Sequence, residues 1–74
     1  MVVEDERITA EIIRFRLEDM GHTVTAIVSS GEKAIQKVAE TKPDLVLMDI
    51  VLKGDMDGIE AAGHIRDRFN ISVI

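Results

Sequence analysis

Three acidic residues stand directly after short apolar runs, at the places where strands would end. Glu4 and Asp5 follow the apolar residues 1–3, and Asp49 follows the apolar run 45–48. That run has Pro43 before it and glycines after it, which is typical of a strand buried on both faces of a parallel sheet. Because ligands of open α/β sheets bind outside the carboxyl ends of strands, these three residues are the candidate functional residues.

The three carboxylates predict a cation site if their strands are neighbours. Like charges held close together raise each other's pKa values and oppose folding, and a divalent cation removes that penalty. Mg²⁺ suits such a site, because it is bound by one or two carboxylates together with water and a phosphate. Asp49 could also act as a nucleophile, since carboxylates form aspartyl phosphates in some enzymes. The alternative for Glu4 and Asp5 is that they are N-terminal charges that favour a helix dipole.

Strands and helices alternate along the chain. The pattern is β-α-β-α-β-α-β, which predicts a parallel sheet with right-handed crossovers and helices on both faces. Two helix starts are marked by a capping residue with a glutamate three positions later, namely Ser29 with Glu32 and Asp57 with Glu60. Helix ends are marked by Gly21 and Pro43. The predicted strands are 1–3, 22–28, 45–49 and 71–74, and the predicted helices are 7–20, 30–42 and 57–69.

Each predicted helix has an apolar face. The first helix has two apolar stripes, which predict that it is covered on more than one side; these are Ala10, Ile13, Leu17 and Met20 in one, and Ile8, Ile12 and Phe15 in the other. The faces of the other two helices are Ala34, Ile35, Val38 and Ala39, and Ile59, Ala62, Ile65 and Phe69.

Composition limits the class of protein. The 74 residues allow one small domain, predicted to be incomplete at both ends because the chain starts and stops within apolar β-type runs. A net charge of −5 and only two Phe disfavour nucleic-acid or anionic-membrane binding. The chain has no Cys, which fits a reducing compartment, and no apolar run approaches the length of a membrane span.

Four segments of the chain resemble the receiver domain of two-component response regulators. They are Val-Val-Glu-Asp-Glu at 2–6, Ser-Gly-Glu-Lys-Ala at 30–34, Pro-Asp-Leu-Val-Leu-Met-Asp at 43–49 and Met-Asp-Gly-Ile-Glu-Ala at 56–61. The resemblance covers the whole chain in one order. It implies a flavodoxin-like α/β/α fold of three layers with strand order 2-1-3-4-5, of which the fifth strand and the last helices are missing here.

The same resemblance implies the role of each site residue. Asp49 would be the phosphoacceptor, taking a phosphoryl group from a sensor histidine kinase in a Mg²⁺-dependent reaction. Asp5 and Asp49 would bind the metal directly, Glu4 would act through water, and Val51 would lend its backbone carbonyl. The resemblance further implies a cytoplasmic signalling domain that switches a downstream output, with an output domain or self-association as partner. It would assist its own phosphorylation and dephosphorylation without being an enzyme.

The chain departs from the family pattern after Asp49. Lys53 stands where the family usually has Pro, and Asp55 is one extra residue in this loop. The family's hydroxyl residue and lysine fall beyond Ile74.

Two other functions are compatible with parts of the pattern. One is a receiver-like interaction module that is not phosphorylated, which the acidic residues disfavour. The other is an aspartyl-phosphate hydrolase of the haloacid dehalogenase type, which resembles Asp-x-Asp-x-Thr after the strand. Val51 occupies the position of the second Asp, which argues against the hydrolase.

Overall fold

A four-stranded parallel sheet forms the centre of the molecule. The structure, a computed structural model, describes residues 1–49, 52, 54 and 56–74. The strands lie in the order β2-β1-β3-β4, and all neighbours are parallel. Both the alternating pattern and the flavodoxin-like strand order are confirmed. The strands are β1 (Val2–Val3), β2 (Ile27–Val28), β3 (Leu45–Met48) and β4 (Ser72–Val73).

Three helices connect the strands. They are α1 (Arg7–Asp19), α2 (Gly31–Thr41) and α3 (Gly58–Phe69). The step from β1 to β2 runs opposite to the steps from β2 to β3 and from β3 to β4. Because such crossovers are right-handed, α1 lies on one face of the sheet while α2 and α3 lie together on the other, where they pack against each other. Among the described residues, no helix is both long and apolar enough to cross a membrane.

Gly21 ends α1, as the sequence predicts. Its φ of 93° is in the left-handed region, where glycine has no steric penalty. The amide of Gly21 donates to the carbonyl of Glu18, and the amide of His22 donates to the carbonyl of Leu17, each at 3.0 Å. These two hydrogen bonds form a Schellman motif, which satisfies carbonyls that the helix end leaves without partners.

The N-terminal cap of α2 differs from the prediction by one residue. The capping residue is Ser30, whose side chain accepts from the amide of Lys33 at 3.2 Å, so the predicted pair of Ser29 and Glu32 is wrong. Ser30 has the extended backbone that a capping residue needs. The cap of α3 is as predicted, because Asp57 accepts from the amide of Glu60 at 2.8 Å.

The outer strands are shorter than the sequence predicts. Residues 22–28 were expected to pair, but only Ile27–Val28 forms a strand, and only Ser72–Val73 of residues 71–74 does so. Register explains the length of β2, because Ile27 and Val28 pair with Val2 and Val3, which are the whole of β1. The third strand ends at Met48 and the first helix at Asp19, each one residue earlier than expected.

The core lies between the sheet and the pair α2 and α3. Its fully buried side chains come from both layers and include Val3, Ala34, Val38, Val46 and Ile65. Several predictions about burial are wrong. The second apolar stripe of α1 was expected to be covered, but Ile8, Ile12 and Phe15 are 51–75% exposed, so only the side of α1 that faces the sheet is packed. Met20 and Ala39, which were placed on apolar faces, are exposed as well.

Leu45, at the start of β3, is 39% exposed, and Leu47 and Met48 are only partly buried, so Val46 is the one residue of β3 that is fully buried. Ile59 is 65% exposed, and Ala61 is buried on α3 in its place.

Candidate functional site

The pairing of β1 with its two neighbours brings the predicted acidic residues to one edge of the sheet. Val3 pairs with Val28 on one side and with Met48 on the other. The amide of Glu4 donates to the carbonyl of Val28, and the amide of Asp49 donates to the carbonyl of Val3, each at 3.0 Å. The backbone therefore fixes Glu4 and Asp49 as the first residues beyond two adjacent strands.

Glu4, Asp5 and Asp49 form one cluster. Each offers a carboxylate oxygen, and these three oxygens all lie within 4.8 Å of one another. All three residues are partly buried. The structure therefore brings together the three acidic residues that the sequence analysis identified.

The electrostatics of the cluster oppose full ionisation. The pKa of Glu4 is raised above its usual value, first because the carboxyl is partly withdrawn from water. The charge of Asp49, a hydrogen bond between the two side chains and the charge of Asp5 raise it further. The amide of Glu6 acts in the opposite direction, because it donates to Oε1 of Glu4 at 3.2 Å and stabilises the ionised form.

The cluster fits a small divalent cation. Carboxylate oxygens are the ligands that Mg²⁺ prefers, and the ion usually keeps several waters beside one or two carboxylates. An oxygen spacing of up to 4.8 Å allows an ion to touch two of the three groups while the third is reached through water. A cation between them would also relieve the repulsion that raises the pKa of Glu4.

A groove of about 400 Å³ opens beside Glu4 and Asp5, between the starts of α1 and α2. Arg7, Ser29 and Lys33 line it, and none of the three is predicted from the sequence as a site residue. The signal that could have found Ser29 and Lys33 is their position, because both follow β2 at the edge where the carboxyl ends of the strands meet. The groove gives a solute access to the carboxylates from this side.

Part of the predicted site lies outside the described residues. This applies to Val51, whose backbone carbonyl was expected to bind the metal, and to Lys53 and Asp55, which depart from the family pattern.

A family model described as the response regulator receiver domain matches residues 1–74. Among curated relatives, a protein-glutamate methylesterase/protein-glutamine glutaminase of Natronomonas pharaonis is 43% identical over 67 residues. The match covers 90% of this chain and 19% of that protein, so the chain spans about a fifth of the relative's length.

Solved receiver structures have the same fold. The signal receiver domain of a modulated diguanylate cyclase from Desulfovibrio desulfuricans G20 has a TM-score of 0.93 at 36% identity, with 99% of this chain and 58% of that chain covered. The response regulator PhyR from Brucella abortus also has a TM-score of 0.93, at 35% identity, with 100% of this chain and 30% of that chain covered. PhyR from Bartonella quintana, solved in complex with the anti-sigma factor NepR, has a TM-score of 0.90 at 34% identity, with 99% and 30% covered.

Proposed function

This chain belongs to the response regulator receiver domains, and from that premise we propose that Asp49 is its phosphoacceptor. The observation that carries the proposal is the cluster in which carboxylate oxygens of Glu4, Asp5 and Asp49 lie within 4.8 Å of one another at the carboxyl ends of the strands. Asp49 is the member that directly follows β3, and the hydrogen bond from its amide to the carbonyl of Val3 holds its backbone. A fixed nucleophile beside a cation site is what phosphoryl transfer needs.

The proposed reaction moves one phosphoryl group. A carboxylate oxygen of Asp49 attacks the phosphorus of a phosphohistidine on a sensor kinase, the N–P bond breaks, and the imidazole leaves with the bonding electron pair. The product is an aspartyl phosphate, which water later hydrolyses to aspartate and inorganic phosphate. Such transfer depends on positioning and on neutralising charge on the phosphoryl oxygens. The domain would thus take part in its own phosphorylation and dephosphorylation as a signalling switch, not as an enzyme acting on a separate substrate.

Magnesium is the cofactor we propose for this reaction. When bound, it would neutralise the negative charges of the carboxylates and of the phosphoryl oxygens. Asp5 and Asp49 would bind it directly and Glu4 would hold a bound water, consistent with the spacing of their oxygens. The backbone carbonyl of Val51 would complete the ligands from the chain.

Phosphoryl transfer of this kind also requires a donor, an output and a cellular location. The phosphoryl donor would be a sensor histidine kinase, and phosphorylation would switch a downstream output carried by an attached domain or a separate partner. The relatives' names include a methylesterase and a diguanylate cyclase, so we propose no single type of output. A cytoplasmic location fits a domain without cysteines that receives phosphate from a kinase.

The test is phosphorylation by a small acyl phosphate. The chain is incubated with acetyl phosphate and Mg²⁺, and phosphate bound to protein is measured by intact mass before and after treatment with hydroxylamine, which cleaves acyl phosphates. We expect a Mg²⁺-dependent, hydroxylamine-labile gain of one phosphoryl group that Asp49→Asn abolishes. Asp44→Asn is the matched control, because Asp44 is exposed and precedes the same strand at its opposite end.

Two outcomes would argue against the proposal. Labile phosphate that persists on Asp49→Asn would place the acceptor at another residue. A folded chain that binds Mg²⁺, with amide NMR shifts at Asp5 and Asp49, but takes no phosphate would favour the interaction module that works without phosphorylation.

A further inference from the structure

Two basic residues line the same groove as the acidic cluster. The groove of about 400 Å³ is lined by Glu4 and Asp5 and, from the starts of α1 and α2, by Arg7 and Lys33. Arg7 and Lys33 are the groove cations, and both residues are exposed. The cap of α2 fixes the backbone of Lys33, because its amide donates to Oγ of Ser30 at 3.2 Å. The groove therefore places charges of both signs beside the proposed cation site.

Neither groove cation forms an ion pair with a carboxylate of the described residues. The ion pairs in that part of the chain join Arg14 to Glu11 and Lys37 to Glu40. Glu11 also lines the groove, but Arg14 compensates its charge. The positive charges of the groove cations therefore act on whatever solute approaches the carboxylates from this side.

Local helix stability does not account for the groove cations. Arg7 is the first residue of α1, and Lys33 is the third residue of α2. The N-terminal turn of a helix carries partial positive charge, so acidic side chains are favourable there and basic ones are not. The first turn of α1 contains no acidic residue, although the sequence supplies three immediately before it. The feature that the two basic positions share is the groove that the helix starts enclose.

We propose that Arg7 and Lys33 set the net charge of the cation site, so that it holds Mg²⁺ less tightly and attracts the anionic phosphoryl donor. This role rests on the proposed function of Asp49, and it needs no contact with the ion or with the phosphoryl group. Three ionised carboxylates and one Mg²⁺ together carry one negative charge, which repels a phosphate dianion. When the two groove cations are included, the same site carries one positive charge, which attracts it.

The two effects of the groove cations have opposite signs, which distinguishes this role from a structural one. Like charges repel, so each groove cation makes the binding of Mg²⁺ less favourable. The same positive charge raises the local concentration of a dianionic donor and the rate at which it reaches the carboxylates. A substitution that disturbed the fold would weaken the binding and slow the reaction together. A substitution that removes only the charge should tighten the binding and slow the reaction.

The first experiment measures Mg²⁺ binding. Mg²⁺ is titrated into the metal-free chain at low ionic strength, and the amide NMR signals of Asp5 and Asp49 report the binding. We expect Arg7→Gln and Lys33→Gln each to lower the Kd of Mg²⁺ roughly two- to threefold, and Lys33→Glu to lower it further. Lys37→Gln is the matched control, because it removes the same charge from α2 but Lys37 lies outside the groove lining. The differences should shrink in about 0.5 M KCl, where exposed charges are screened.

The second experiment measures the rate of phosphorylation by acetyl phosphate. Mg²⁺ is kept at a saturating concentration, so that a change in its affinity does not affect the rate, and the phosphorylated fraction is followed by intact mass. We expect the double variant Arg7→Gln with Lys33→Gln to react roughly fivefold more slowly than the unchanged chain. Lys37→Gln should keep the rate of the unchanged chain. Amide NMR spectra check that each variant has the same fold.

The outcomes separate the role of the groove cations from the proposed function. Tighter Mg²⁺ binding together with slower phosphorylation supports the role. Variants that match Lys37→Gln in both measurements overturn it, while phosphorylation of the unchanged chain leaves the role of Asp49 intact. Weaker Mg²⁺ binding in the variants also overturns it, because the basic side chains would then hold the carboxylates in place. If Mg²⁺ shifts neither Asp5 nor Asp49, both the cation site and the role of the groove cations are wrong.

Discussion

Gly31 at the start of α2 lies against Ala61 of α3, so closely that a Cβ atom on Gly31 would be 3.1 Å from the Cβ of Ala61. The same atom would be 3.1 Å from Cγ of Met56. The Met56 side chain can rotate away, but the Cβ of Ala61 is fixed to the backbone of α3. Glycine at this position therefore allows the start of α2 to approach α3 closely.

We expect Gly31→Ala to lower the free energy of unfolding by about 1 kcal/mol. Overpacking a close contact costs roughly 1–3 kcal/mol, and the gain in helix propensity is small at the first position of a helix. Gly63→Ala is the matched control, because Gly63 lies inside α3 with nothing within 4 Å of a Cβ. It should raise the free energy of unfolding by about 0.5–1 kcal/mol. Urea unfolding followed by circular dichroism measures both, and equal effects would contradict a specific contact at Gly31.

The cap of α2 gives a second prediction. Ser30→Ala removes the side-chain oxygen that accepts from the amide of Lys33, and it should cost about 1 kcal/mol of unfolding free energy. Ser29→Ala is the control, because Ser29 is exposed and is not the capping residue. Urea unfolding measures the loss of unfolding free energy for each variant and so shows which serine caps the helix. A larger loss from Ser29→Ala than from Ser30→Ala would mean that the helix begins one residue earlier.

Much of the fold could be predicted because its signals are local. The apolar periods give the seven elements, and the placement of acidic residues after two apolar runs identifies Glu4, Asp5 and Asp49. The strand order followed from the resemblance to receiver domains and not from any period, since periodicity says nothing about which strands are neighbours.

The errors concern choices that depend on packing. Ser29 and Ser30 offer the same capping oxygen, and only the backbone angles decide between them. Which side chains of α3 are buried depends on how the helix is rotated against α2. The structure buries Ala61 and leaves Ile59 exposed. At the site, Arg7 and Lys33 line the groove beside the carboxylates because of how two helix starts meet in space, which no spacing along the sequence encodes.

The burial of α3 gives a third prediction. Ile65 is fully buried in the core, whereas Ile59 is 65% exposed, although the sequence places both on one apolar face. Ile65→Val removes one buried methylene and should lower the free energy of unfolding by about 0.5–1.5 kcal/mol. Ile59→Val removes the same group at the surface, and its effect should stay within about 0.5 kcal/mol. Thermal and urea unfolding test both variants, and a larger loss from Ile59→Val would contradict the rotation of α3.

The last prediction concerns Glu4, whose pKa is raised in the folded protein by burial and by the charges of Asp49 and Asp5. Below the ordinary pKa of a glutamic acid, about 4.3, the carboxyl is protonated in both the folded and the unfolded state, and the folded state keeps its full stability. As the pH rises through the window between the ordinary pKa and the raised one, the unfolded state ionises first, and stability falls and stays lower above it. Replacing the carboxyl with an amide removes this loss.

We therefore expect Glu4→Gln, in metal-free buffer, to raise the free energy of unfolding at pH 7 by about 0.5–1 kcal/mol, the scale of a partly exposed charge interaction, and to have little effect near pH 4. Glu6→Gln is the control, because Glu6 is exposed and makes no side-chain capping hydrogen bond. Added Mg²⁺ should narrow or reverse the difference in unfolding free energy between Glu4→Gln and the unchanged chain. The reason is that the bound ion stabilises the carboxylates, which repel each other without it. Urea unfolding at both pH values, with and without Mg²⁺, measures each of these differences. A Glu4→Gln variant that is less stable than the unchanged chain at pH 7 without metal would mean that the carboxylates attract a cationic group of the chain more strongly than they repel one another.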